Sequence, residues 1–235
     1  MKKTLTVLAL FFLLFSYAQE KTITIDYTVK YLSQNKRKGT TDTITVGFEK
    51  NGKYIWTNSK ALAKDLGKSM FRKKPELLEN SDLAIIYDSK NAMLLMCFES
   101  GENEFFMNVE LSAIIPGPIP NDDGEEFELI SEKTEETITI ANREATLYDV
   151  YPSHKNSETI SVALDERIKI NNNLLFKKFF EIMFAADDNA KLLGFNIPDG
   201  LLMKVGSDEK TLIEAYTVDS TKKEITINYS FKIKE

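Results

Sequence analysis

Apolar and polar residues alternate in two segments that lie near the ends of the chain. In residues 22–31 the apolar positions are Ile23, Ile25, Tyr27, Val29 and Tyr31. Residues 224–234 repeat this pattern with isoleucine, tyrosine and phenylalanine at every second position. Because alternate side chains of a β-strand point to opposite faces, both segments are predicted to be strands with one apolar face.

Further strands follow from the same alternation, which short runs of turn residues interrupt. Asn51-Gly52 supplies the positive-φ residues that a tight hairpin prefers, so this pair is predicted to join two strands. The predicted strands between the two ends are the hairpin near 43–49 and 53–57, a meander near 82–88, 91–99 and 104–110, a hairpin around 141–143, a strand within 157–170, and closing strands after residue 193.

Two segments change to the helical period of about 3.6 residues. The first lies near 59–70, with Ser59 as its candidate N-cap. The second lies near 173–186, where an asparagine of the 171–173 run is the candidate cap. Its apolar stripe is formed by Leu175, Phe179, Ile182 and Met183.

These elements predict a mainly β protein of the α+β type, with a curved antiparallel sheet or half-barrel covered by one or two helices. A single domain is expected over residues 19–235, with a surface loop at 113–126 as a lip or lid. Two helices that cover a long apolar face incompletely leave a hydrophobic cleft. The residues expected to line this concave face are Ile25, Tyr27, Val29, Tyr31 and Trp56.

Residues 1–18 have the pattern of a cleavable export signal. Lys2 and Lys3 precede a short apolar run, and the small residues Ser16 and Ala18 mark the cleavage position. The run is shorter than the roughly 20 residues that a membrane-spanning helix needs. Gln19 follows the cut where a lipoprotein would have cysteine, so a periplasmic or secreted protein without an integral membrane span is expected.

The composition narrows the possible partners and chemistries. The net charge of −6 argues against nucleic acid and anionic membranes as partners, since both attract basic patches.

The single cysteine, Cys97, has apolar neighbours and is expected to be a small buried residue. The acidic runs at 121–126 and 186–189 lack the spacing of a calcium loop and are interpreted as solvated turns. One histidine and one cysteine cannot form a typical zinc site, so no metal and no cofactor is predicted.

The second half of the chain resembles the lipoprotein-carrier-like (LolA/LolB-like) exported domains, or an uncharacterised relative of that group. The segment TIANREATLYDV partly matches a hairpin pattern found in those relatives, through Ile140, Ala145, Thr146 and Tyr148. Ala141-Asn142 stands where Asn-Gly is usual, and Arg143 where an aromatic residue is usual. The resemblance implies a half-barrel with helices in its concavity and no catalytic residues.

The leading hypothesis is a non-catalytic exported protein that binds a lipid or a lipidated chain in the sheet concavity. One alternative is a structural or protein-interaction module of the cell envelope, whose partner is an envelope protein and whose concavity is filled. The other is a secreted hydrolase, which would need His154 and other ionisable groups to converge in a cleft. His154 lies in a polar segment and is expected to be a solvated loop residue. The oligomeric state is left open.

Overall fold

The computed structural model describes residues 20–35, 40–59, 82–100, 103–114, 125–154, 159–187, 190–207 and 210–228. The helices in this part of the chain are α1 (Leu111–Ile114), a single turn, and α2 (Asn172–Asp187). The strands are β1 (Glu20–Ile25), β2 (Tyr27–Asn35), β3 (Thr40–Phe48), β4 (Tyr54–Thr57), β5 (Asp82–Asp88), β6 (Met93–Ser100), β7 (Asn103–Glu110), β8 (Glu126–Ile140), β9 (Arg143–Pro152), β10 (Ile160–Asp165), β11 (Lys191–Phe195), β12 (Leu201–Ser207), β13 (Lys210–Asp219) and β14 (Lys223–Asn228).

Twelve of these strands form one sheet in the order β11-β8-β9-β10-β12-β13-β2-β3-β4-β5-β6-β7. Neighbouring strands are antiparallel except β11 and β8, which are parallel. The sheet is open, and β11 and β7 are its two edges in the described part of the chain. The prediction of a mainly β protein of the α+β type is therefore confirmed. The large sheet is open and uncurled, however, and does not form the curved half-barrel that was expected.

The first and last described strands, β1 and β14, pair with each other in a separate two-stranded ribbon. The chain leaves this ribbon at Asp26 and enters the large sheet as β2. The Asp26 backbone N–H donates to the Phe48 carbonyl (2.9 Å), and its carboxylate accepts a hydrogen bond from the Lys50 backbone N–H (3.0 Å). The single strand predicted over residues 22–31 is therefore two strands in two sheets.

The large sheet carries α2 on one side, the helix side, and the ribbon on the other, the ribbon side. Adjacent residues of β5 show this division, because Tyr87 packs towards α2 while Ile86 packs against the ribbon. The helix contributes Leu175 to a central buried cluster, and Phe179 packs near Tyr87. The helix side therefore holds most of the core.

The helix predicted near 173–186 is α2. The Asn171 side-chain oxygen accepts a hydrogen bond from the Leu174 backbone N–H (2.9 Å), so this residue of the asparagine run caps the helix. The other predicted helix lies almost entirely in residues 60–81, which are outside the described residues. Most of the predicted lip loop, the export signal and the last residues of the closing strand also lie outside them.

Ala141 and Asn142 form the β8–β9 turn and both have a positive φ, at 50° and 59°. Alanine in this left-handed region is strained by about 1–2 kcal/mol, whereas asparagine tolerates it and is favoured at the first position of such a hairpin. We expect Ala141→Asn to raise the free energy of unfolding by about 1 kcal/mol, as measured by urea denaturation. The matched change Asn142→Ala should lower it by a similar amount. Changes in the same direction for the two variants would contradict this interpretation of the turn.

Candidate ligand-binding cavity

A cavity of about 360 Å³ lies between α2 and the helix side of the sheet. Its walls come from β8, β9, β10 and β12, from α2, and from the loop that precedes β12. Its lining is apolar except for one asparagine and consists of Leu129, Val150, Pro152, Ile160, Val162, Leu164, Asn172, Phe176, Phe180, Met183, Phe184, Ile197, Leu202 and Val205.

The helix wall of the cavity is formed by phenylalanines spaced four residues apart. Phe176, Phe180 and Phe184 lie above one another on α2, because a spacing of four residues is close to one helical turn. The Phe180 ring stacks between Phe184, with centroids 5.9 Å apart, and Phe195 of β11, with centroids 5.4 Å apart. Phe127 meets Phe184 edge to face at 4.8 Å. These contacts hold the wall in place from several directions.

The opposite wall is formed by short branched side chains of neighbouring strands. Val162 of β10 is paired in register with Val205 of β12, and Leu164 with Leu202. A β-bulge between these two pairs keeps all four side chains on the cavity wall. Valine does not reach far from the backbone, so space remains between the strands and the phenylalanines of α2.

The one polar lining residue has its hydrogen-bond donors occupied. The Asn172 amide donates to the carbonyl oxygens of Pro198 (2.7 Å) and Gly200 (3.0 Å). The neighbouring Asn173 accepts a hydrogen bond from the Ile197 backbone N–H (3.0 Å). Together these bonds fix the loop before β12 to the start of α2. The described lining offers no charged group, so it recognises a ligand by apolar contact.

The structure divides the five residues that the sequence placed on one concave face. Tyr27, Val29 and Tyr31 belong to the central cluster on the helix side, where neighbouring side chains surround them. Ile25 and Trp56 lie on the ribbon side. None of the five is among the residues that line the cavity. The expected single face is therefore two faces, because the chain changes sheets at Asp26.

Tyr31 does not line the cavity but holds one of its wall strands in place. Its hydroxyl donates to the Leu202 carbonyl (2.6 Å), which ties β2 to the strand that carries part of the cavity wall. Burial raises the pKa of the Tyr31 phenol, so the hydroxyl stays neutral and remains a donor.

The apolar stripe that the sequence predicted for α2 packs mainly in the core, and the cavity lies against a second stripe that was not predicted. The sequence pattern singled out Leu175, Phe179 and Ile182, which the structure places in the central cluster and against β5 and β6. The cavity side is instead the stripe at 176, 180 and 184, of which the prediction had only the neighbouring Met183. The signal for it was present as phenylalanine repeated every fourth residue.

His154 is partly buried, and its ring meets Phe127 edge to face at 4.8 Å. Its Nδ1 atom is buried without a hydrogen-bond partner in the described part of the chain, so the solvated position expected from the sequence is wrong.

Cys97 is half-buried and packs against the ribbon-side cluster. In the described ranges, no three His, Cys, Asp or Glu side chains are close enough together to hold a metal ion. None of the helices in these ranges has the length and apolar character to cross a membrane.

Comparison with known proteins gives a weak structural likeness only. No family model matches the chain, and no curated protein matches it. Two solved structures of PNGF-II, in space groups P21 and C2, are similar at 13% sequence identity, with TM-scores of 0.37 and 0.36. These alignments cover 83% of this chain but 28% and 27% of the PNGF-II chains, so the chain spans less than a third of their length.

Proposed function

We propose that this protein binds the hydrocarbon part of a lipid or of a lipidated partner in the cavity between α2 and β8–β12. The observation that carries the proposal is an apolar space of about 360 Å³ whose one polar lining residue, Asn172, already has its amide donors paired. An apolar cavity of about 150 Å³ can stay dry and bind benzene. A larger space of the same character suits a longer hydrocarbon.

The free energy of binding would come from removing methylene groups from water. Each buried methylene contributes about 0.8 kcal/mol, which corresponds to about a fourfold gain in affinity. The binding step needs no ion pair and no proton transfer. In this proposal the protein carries or receives lipid in the cell envelope, which agrees with the export signal expected in residues 1–18 and with the resemblance to the lipoprotein carriers.

A series of straight-chain alcohols, from hexanol to decanol, tests the proposal without adding a charge. We expect the affinity to rise about fourfold for each methylene and then to level off when the cavity is full. Isothermal titration calorimetry measures this dependence. The absence of saturable binding across the whole series would favour the alternative of an envelope interaction module, whose cavity takes no ligand.

Replacing Leu202 with tryptophan should place a large ring in the cavity. We expect Leu202→Trp to weaken decanol binding at least about tenfold, since the space that the alkyl chain would occupy is taken. The matched control is Leu212→Trp on β13, where the leucine is 43% exposed and is not part of the cavity lining. Thermal unfolding of both variants shows whether each is folded. Equal decanol binding by the two variants would place the alkyl site elsewhere.

A further inference from the structure

A second cavity of about 360 Å³ lies on the ribbon side of the sheet, between β14 and strands β4 to β7. Its floor is apolar and includes Trp56, Phe106 and Ile225. Unlike the helix-side cavity, it has charged and amide groups among its lining residues, including Asn58, Glu99 and Lys223. It therefore combines an aromatic floor with polar groups, and the proposed function leaves this cavity unexplained.

Trp56 is the central aromatic group of this cavity. It is 6% exposed and packs in the cluster that joins the ribbon to the sheet. Gly47 on the neighbouring strand makes room for Ile25 and for this ring, because a Cβ atom added there would lie 2.6 Å from Ile25 Cγ2 and 3.2 Å from the Trp56 ring. The Lys223 ammonium lies 3.8 Å from the ring centroid, in a cation–π contact. The ring therefore fixes a positive charge in this cavity.

Lys223 is exposed, and its ammonium group forms no ion pair with a carboxylate in the described part of the chain. Other ribbon-side lysines do have such partners. Lys222, the adjacent residue, lies 3.8 Å from the Asp26 carboxylate, and Lys21 lies 3.7 Å from Asp88. Lys223 is thus a cation positioned by an aromatic ring, with its charge available to an anion.

We propose that the ribbon-side cavity binds a small aromatic carboxylate, with its ring against Trp56 and Phe106 and its carboxylate on Lys223. The cavity size is in the range of small-molecule sites, and an ion pair beside an apolar floor is stronger than one in open water. Glu99 also lines the cavity and repels every negative charge of a ligand, while the one lysine of the lining, Lys223, attracts it. Because each further negative charge adds repulsion, a monoanion fits better than a polyanion. This inference does not depend on the proposed alkyl site.

Trp56 is the only tryptophan in the chain, so its fluorescence reports on this cavity directly. Phenylpropionate, phenylpropanol and phenylethylamine present the same ring with a negative, neutral or positive end. We expect phenylpropionate to change the Trp56 emission saturably, with the alcohol and the amine at least about tenfold weaker. Calorimetry provides a second measure of the same affinities.

Three lysine variants separate the role of the charge from that of folding. Lys223→Met should weaken phenylpropionate at least about tenfold, Lys223→Arg should retain binding, and the adjacent change Lys222→Met should leave it unaltered. Leu202→Trp, measured by calorimetry, should also bind phenylpropionate normally. Absence of phenylpropionate binding to the unmodified protein, equal binding of the amine, or an affinity of Lys223→Met within twofold of the original would overturn the inference.

Discussion

Replacing Gly52 with alanine is expected to lower the free energy of unfolding by about 3 kcal/mol. Gly52 has a φ of +76°, in the left-handed region where alanine is strained. A Cβ atom there would also lie 2.3 Å from the Asn171 carbonyl oxygen. This oxygen belongs to the backbone of Asn171, the N-cap of α2, so it cannot rotate aside as a side chain could. The β3–β4 turn would therefore have to move away from the start of α2. Urea denaturation measures the loss.

Gly194→Ala is the matched control for this change. A Cβ atom at Gly194 would meet atoms of the Glu128 side chain at 3.0 Å, and a flexible exposed side chain can move aside. Its φ lies outside the left-handed range, so we expect a change of less than about 1 kcal/mol. If both glycines gave equally small losses, the turn at Gly52 would not be the support of α2 that the structure indicates.

The second large effect is expected at Asp165, whose side chain is fully buried between two arginines. Its carboxylate accepts hydrogen bonds from Arg167 Nε (2.8 Å) and Arg143 Nη1 (3.3 Å). Removing one member of a buried ion pair costs about 3–5 kcal/mol. Because Arg143 and Arg167 are 31% and 60% exposed, the lower end applies. We expect Asp165→Asn to lower the free energy of unfolding by about 3 kcal/mol at neutral pH.

The pH dependence of stability tests the same contact. Burial acts to raise the pKa of Asp165, but the hydrogen bonds from Arg167 and Arg143 outweigh it, so the pKa is lowered in the folded protein. The charge therefore stabilises the fold above the unfolded pKa of about 3.9, and this contribution disappears as the pH falls through the lower folded value. Asp165→Asn should lose that part of the acid dependence.

Glu135→Gln is the control for the acid titration. Glu135 is exposed on β8 and has no hydrogen bond or ion pair with the described residues. We expect its replacement to leave the free energy of unfolding nearly unchanged. An acid profile of Asp165→Asn that matched the unmodified protein would show that the two arginines do not hold this carboxylate charged.

Local features of the fold followed from the sequence, because they depend on neighbouring residues. The β3–β4 hairpin at Asn51-Gly52, the β8–β9 turn and the asparagine cap of α2 are each determined within a few positions. Of the Asn-Gly pair only Gly52 has a positive φ, and residues 49–53 form a longer loop than the tight turn that was predicted. The meander of β5, β6 and β7 was also predicted and is confirmed. The order of the whole sheet could not be predicted, since the pairing of β13 with β2 and the parallel pair β11–β8 join distant segments. The alternation across Asp26 carried no sign of the change between sheets.

The candidate site was less accessible to sequence reasoning than the fold. Since α2 presents apolar side chains to the central cluster, to β5–β6 and to the cavity, its pattern does not identify one preferred face. The cavity also depends on the distance between the sheet and α2, because the short valine side chains of the sheet do not contact the phenylalanines of the helix there. That gap is a property of packing in three dimensions, and no run of residues encodes it by itself.

The pairing of β1 with β14 has a consequence for the order in which the molecule is completed. Glu20 is opposite Asn228, so β1 acquires its partner only after all the residues between the two strands have been synthesised. Contacts between such distant positions form slowly, because a long loop must close first. Until then, Ile23 and Ile25 have no ribbon partner, and nascent chains that stop before residue 223 expose an unpaired, aggregation-prone strand.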